Sequence, residues 1–157
     1  CVEPSAEHME NITKMLLFNE FKNVKTIQKA IYIEDKVFPL FHNQNKTMYS
    51  LHQAVADQNL PSEQVQAITL ETLFKDEGIE HVDLCKIDIE GSEIEVLSSL
   101  GFKNVADKID VIVGESHAWA GRHPNQLKEA LKFNGFNLTM LPKTNPQDAD
   151  CWVATKL

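Results

Sequence analysis

The chain has 157 residues, 43% of them apolar and 24% charged, a balance that suits one globular domain (residues 1–157) able to bury a core. Its formal net charge is -8, from 15 basic and 23 acidic side chains, and no Lys/Arg cluster is present, which argues against nucleic acid as a partner. No stretch approaches the roughly 20 continuous apolar residues of a membrane span.

Three cysteines, Cys1, Cys85 and Cys151, form no Cys-x-x-Cys pair, so a reducing, cytoplasmic setting is expected, with Cys85 packing as a small hydrophobe. Asn-x-Thr triplets at Asn11, Asn45 and Asn137 lack an accompanying signal peptide and are not read as glycosylation sites.

The opening "CVEPS" reads as the end of a strand, so the domain is expected to be N-terminally truncated. Ser5 is an N-cap candidate, and Met9, Ile12, Met15 and Leu16 recur at helical spacing up to about Asn19. Val24 to Ile33 alternates and predicts a strand; Glu34 to Pro61 has no clear period and reads as a long loop with short strands. Val65 to Leu70 is strand-like and leads into a short helix stopped by Gly78.

"HVDLCKIDI" predicts a strand, Ser92 to Leu100 a helix closed by Gly101, and "KIDVIVGESH" a strand covered on both faces. Asn125 to Gly135, entered through Pro124, is an amphipathic helix, and two strands joined by the turn-rich "PKTNPQDA" finish the chain. Strands alternating with helices imply an α/β fold with a mainly parallel sheet, and the last pair implies an antiparallel hairpin at its edge.

In such sheets ligands sit beyond the carboxyl ends of the strands, where Glu3, Asp88, Glu90 and Glu115 are expected. Glu3 is placed to accept from ribose hydroxyls or to complement the dipole of the following helix. Glu90 and Glu93 flank a helix start, where negative charge is favoured, with Gly91 as the turn residue. Asp88 follows Ile87 in a strand that should be buried, and needs partners there. His117 is a candidate general base, and Trp119 either shapes a substrate pocket or covers the core. Asp88, Glu90, Glu115 and His117 together suit a hard divalent ion, but no spacing is specific for a metal and none is assigned. His8, His42, His52, His81 and His123 carry no pattern.

Taken together, "VEPS" before a helix, "NVKTIQKAIY", "VDLCKIDIEGSEIEVL" and "VIVGESH" resemble the FkbM-type family of class I S-adenosylmethionine-dependent methyltransferases. The resemblance implies a Rossmann-like fold, S-adenosylmethionine as cofactor, and methyl transfer to a hydroxyl of a small molecule or sugar. It places Glu3, with Pro4, at the ribose, Ala30 and Ile31 beside the adenine, and Asp88 and Gly91 beside the reactive methyl group. Asp88, Glu90 and His117 become the candidate catalytic groups, and Glu115 and Trp119 the acceptor-side residues. The Gly-rich cofactor loop expected in that family is missing upstream of Glu3. A non-catalytic Rossmann-like binding module, and a haloacid-dehalogenase-like phosphatase suggested by "DIEGS", are the rival readings.

Overall fold

The computed structural model describes residues 1–42, 49–52, 62–117, 124–143 and 149–157. Helix α1 (Ala6–Phe18) starts where expected: the Ser5 hydroxyl accepts from the His8 N–H, and Glu7 complements the positive end of the helix. Its apolar stripe is only partly covered. Met9 is buried, Ile12 and Leu16 are half-buried, and Met15 is 47% exposed.

The strand expected over Val24 to Ile33 shrinks to β1 (Ala30–Ile31), preceded by a parallel bridge between Val2 and Ile27. The cause is local. The Lys29 N–H bonds back to the Ile27 carbonyl at 3.1 Å, which turns the backbone and breaks the ladder that the side-chain alternation would favour. The Glu34 to Pro61 segment contributes β2 (Val37–Phe41), which pairs antiparallel with β3 (Ser62–Ile68), and β3 pairs parallel with β1.

Helix α2 (Leu70–Glu77) is capped by Thr69 and closed by Gly78 at φ 62°, a left-handed conformation that glycine adopts without strain. Strand β4 (Val82–Ile87) follows. The single helix expected from Ser92 to Leu100 is two short ones, α3 (Glu93–Leu97) and α4 (Leu100–Lys103). Ser99 makes the break: its hydroxyl donates to the Val96 carbonyl at 2.7 Å and accepts from the Phe102 N–H at 3.2 Å, ending one helix and capping the next. Gly101 therefore lies inside α4 rather than closing a helix.

Strand β5 (Ile109–Ser116), helix α5 (Pro124–Phe133) and strands β6 (Phe136–Met140) and β7 (Asp150–Lys156) complete the order. The described strands form two sheets, β1-β3-β2 and β4-β5-β7-β6. Only β1 with β3 and β4 with β5 are parallel; β2 with β3, β5 with β7 and β6 with β7 are antiparallel. Among the described residues the arrangement is thus mixed α/β in two sheets, where the sequence predicts one mainly parallel sheet. The antiparallel C-terminal pair is present, with β7 inserted between β5 and the edge strand β6.

One core spans both sheets, joining Ile68 of β3 and Ile87 of β4 to Ile112, Trp152 and the inner faces of α2, α3, α4 and α5. A smaller cluster of Ala30, Leu40, Tyr49, Val65 and Ala67 lies under the three-stranded sheet. No helix among the described residues is long and apolar enough to cross a membrane.

Candidate active site

The segment before α1, strand β1 and the loop after β4 meet around a cleft of about 210 Å³. Glu3, Pro4, Ala30, Ile31, Asp88 and Glu90, all singled out from the sequence, line it together. His8 and Tyr49 line it as well. Neither carried a sequence signal, because they are brought in by packing: the Tyr49 ring stacks between His8 and His42, with centroids 4.5 and 4.3 Å away.

Glu3 ends the first extended segment, and its Oε1 accepts from the Ser5 N–H at 2.7 Å while standing 3.6 Å from His8 Nδ1. Both contacts fall on one oxygen, which leaves Oε2 to accept from a ligand's hydroxyls. On the opposite wall, Asp88 is tied to Lys86 by an ion pair of 2.8 Å. Among the described residues, the cleft acids Glu3, Asp88 and Glu90 stand against one lining lysine, Lys29, a field suited to a positively charged ligand.

The loop Ile89–Ser92 is held in an unusual shape. Glu90 sits at φ 51° and Gly91 at φ 99°. For glycine this is free, but for Glu90 it costs roughly 1 kcal/mol, so the surroundings must impose it. They do so through two residues. Ser50, buried to 1% exposure, donates from its hydroxyl to the Glu90 carbonyl at 2.6 Å. Glu93, 2% exposed, reaches back so that its carboxylate accepts from the N–H of Ile89 at 3.2 Å and of Gly91 at 3.1 Å.

Glu93 also receives His117 Nδ1 at 3.0 Å. A carboxylate accepts rather than donates, so Nδ1 carries the proton, and the ring turns Nε2 toward Glu90 Oε2, 3.3 Å away. The His117 side chain is 7% exposed. Burial pushes the Glu90 carboxyl above its ordinary range; His117 draws it back, while Asp88, Glu93 and Glu115 push it further up. Burial alone would lower His117, but Glu93, then Glu90 and Asp88, outweigh it and hold the imidazole above its usual value.

Asp88, Glu90 and His117 thus converge, with one ligating atom from each within 4.8 Å of the others. Gly91 supplies the turn and an N–H to Glu93 but is not among the cleft-lining residues. Glu115 lies within β5 opposite Cys151 and does not line the cleft, although its charge is felt at Glu90. Trp119 lies outside the described residues. Sequence reasoning missed Ser50, which belongs to a segment without a period, and undervalued Glu93, whose place in a first helical turn looks like a solvated dipole partner.

Three carboxylates, Glu3, Asp88 and Glu90, thus line one cleft, with the buried His117 set behind Glu90. A sequence model of the methyltransferase FkbM domain matches residues 2–138, a span that contains Glu3, Ala30, Ile31, Asp88, Glu90 and His117. No curated protein and no solved structure matches the chain. The matched span covers most of the molecule: the chain belongs to the FkbM family of methyltransferase domains.

Proposed function

We propose that the protein is an S-adenosylmethionine-dependent methyltransferase with a Rossmann-like class I architecture, acting on a hydroxyl of a small molecule or sugar in a cytoplasmic setting. The observation that carries this reading is the convergence of Glu3, Ala30, Ile31, Asp88 and Glu90 on one cleft in a methyltransferase-family chain. The residues fit the cofactor: Glu3 has an uncommitted carboxylate oxygen, Ala30 and Ile31 give an apolar wall for a base, and the acidic lining suits a sulfonium.

The cofactor, when bound, supplies an electrophilic methyl group on a cationic sulfur. Bound here, it would give that methyl to an acceptor hydroxyl and leave as a neutral thioether, the hydroxyl proton passing to this chain's side chains or solvent. The protein's work is alignment and exclusion of water. Glu3 and Pro4 hold the ribose end, and Gly91 lets the backbone turn tightly beside the methyl group. Asp88, Glu90 and His117 align the acceptor hydroxyl and draw off its proton.

Calorimetry with S-adenosylhomocysteine tests the reading. The full-length protein is expected to bind, and its Glu3→Ala variant to bind about 10- to 100-fold more weakly through loss of charge-assisted hydrogen bonds. Absence of binding by the unmutated protein would overturn the assignment and leave the scaffold reading.

A further inference from the structure

We propose that Asp88, Glu90 and His117 form a divalent-metal site on the wall of the cleft, taking a first-row transition ion such as Mn²⁺ or Zn²⁺ with positions left open toward the acceptor.

Three observations meet here. The first is the donor set: two carboxylates and one imidazole place a ligating atom each within 4.8 Å of one another. Ligands about 2.1 Å from a common ion stand roughly 3 to 4 Å apart, so a short side-chain movement closes the set. Mixed oxygen and nitrogen donors favour Mn²⁺ or Zn²⁺ over the all-oxygen preference of Ca²⁺ or Mg²⁺.

The second is an orphaned atom. Glu90 Oε2 is fully buried and has no hydrogen-bond partner among the described residues, although His117 Nε2 is 3.3 Å away. With Nδ1 held by Glu93, the Nε2 edge of the ring faces that oxygen, so an imidazole nitrogen and a carboxylate oxygen converge on one point. A cation seated there would give the buried Glu90 oxygen a partner.

The third is the support behind the histidine. Glu93, 2% exposed, fixes the ring through Nδ1, the carboxylate–histidine arrangement that orients an imidazole for a metal. The exposed trio His81, Asp83 and Asp110 lacks any such buried partner and serves as the control.

The role in catalysis rests on the methyltransferase reading: an ion here would orient the acceptor hydroxyl and lower its pKa, and the proton would pass to solvent. The three side chains would then act through the ion rather than as the proton acceptor. The binding itself does not depend on that reading.

Titrating Mn²⁺ alone, and separately Zn²⁺ alone, into the full chain, with bound Mn²⁺ counted by electron paramagnetic resonance, tests the site. One site is expected that survives His81→Ala and weakens at least about tenfold in Glu90→Gln and in His117→Ala, and about 10- to 100-fold in the positioning variant Glu93→Gln. Circular dichroism checks folding, and Asp88→Asn, at an exposed position, supplies a variant that keeps the core intact. Absence of saturable binding of either ion by the folded protein overturns the proposal, as does binding lost in His81→Ala but unchanged in Glu90→Gln and Asp88→Asn. Binding of S-adenosylhomocysteine in the presence of a chelator, without any metal binding, overturns this inference alone; metal binding without S-adenosylhomocysteine binding overturns the cofactor assignment alone.

Discussion

At the scale of single residues, the site depends on side chains that hold the backbone as much as on those that face the cleft. Ser50 bridges two distant segments: its hydroxyl donates to the Glu90 carbonyl and accepts from the His52 N–H at 3.0 Å. Ser50→Ala strands both groups in a dry place. It is expected to destabilise the protein by about 1–3 kcal/mol, read as a lowered midpoint in urea melts. That Glu3, Asp88 and Glu90 share one cleft was legible from their places at predicted strand ends, although Glu3 and Glu90 also suit a helix dipole. Ser50 and Glu93 were not, since a serine in an aperiodic stretch and an acid in a first helical turn have ordinary explanations. Only the fold shows that one is buried under Glu90 and the other against His117.

At the scale of elements, the apolar runs of β4 and β5 and the Gly-stopped α2 were readable because burial and capping chemistry act locally. The break between α3 and α4 was less so: Ser98 and Ser99 could face solvent or cap, and the choice falls to packing. Close approach is clearest at β5, where Gly114 lies opposite Trp152. A Cβ at Gly114 would stand 2.4 Å from Trp152 Cζ2 and 2.5 Å from the Ile87 carbonyl oxygen, inside any allowed contact. The carbonyl belongs to the strand that leads into Asp88, so neither neighbour can yield freely. Gly114→Ala is therefore expected to cost at least about 2–3 kcal/mol, measured by denaturant unfolding.

At the scale of the whole molecule, the two sheets are joined by one core, and polar ties such as Asp35 fix the junctions between elements. Its carboxylate accepts from the Thr72 hydroxyl at 2.6 Å and the Thr69 N–H at 2.7 Å, pinning the start of α2. The Thr72 hydroxyl is the chief cause that holds the Asp35 pKa below its ordinary value, with slight burial opposing it and the Thr69 N–H and Lys29 adding to it. A folded pKa lower than the unfolded one contributes stability that is present above the ordinary carboxylate range and lost as pH falls through the folded value. Because Asp35 is exposed, that contribution is below about 1 kcal/mol. Thermal melts across pH should show Asp35→Asn less stable than the parent at neutral pH and equal to it in strong acid. Mixed pairing across two sheets was not legible from the sequence, because parallel and antiparallel neighbours leave the same alternation in a strand. The cleft, finally, takes its walls from segments far apart along the chain: the stretch before α1, the three-stranded sheet and the loop after β4. A small molecule seated there acts as a clasp: at about a hundredfold excess over its dissociation constant it would add about 2.7 kcal/mol to the cost of unfolding. Were the proposed methyl donor that molecule, its supply would also govern how long the protein survives proteases.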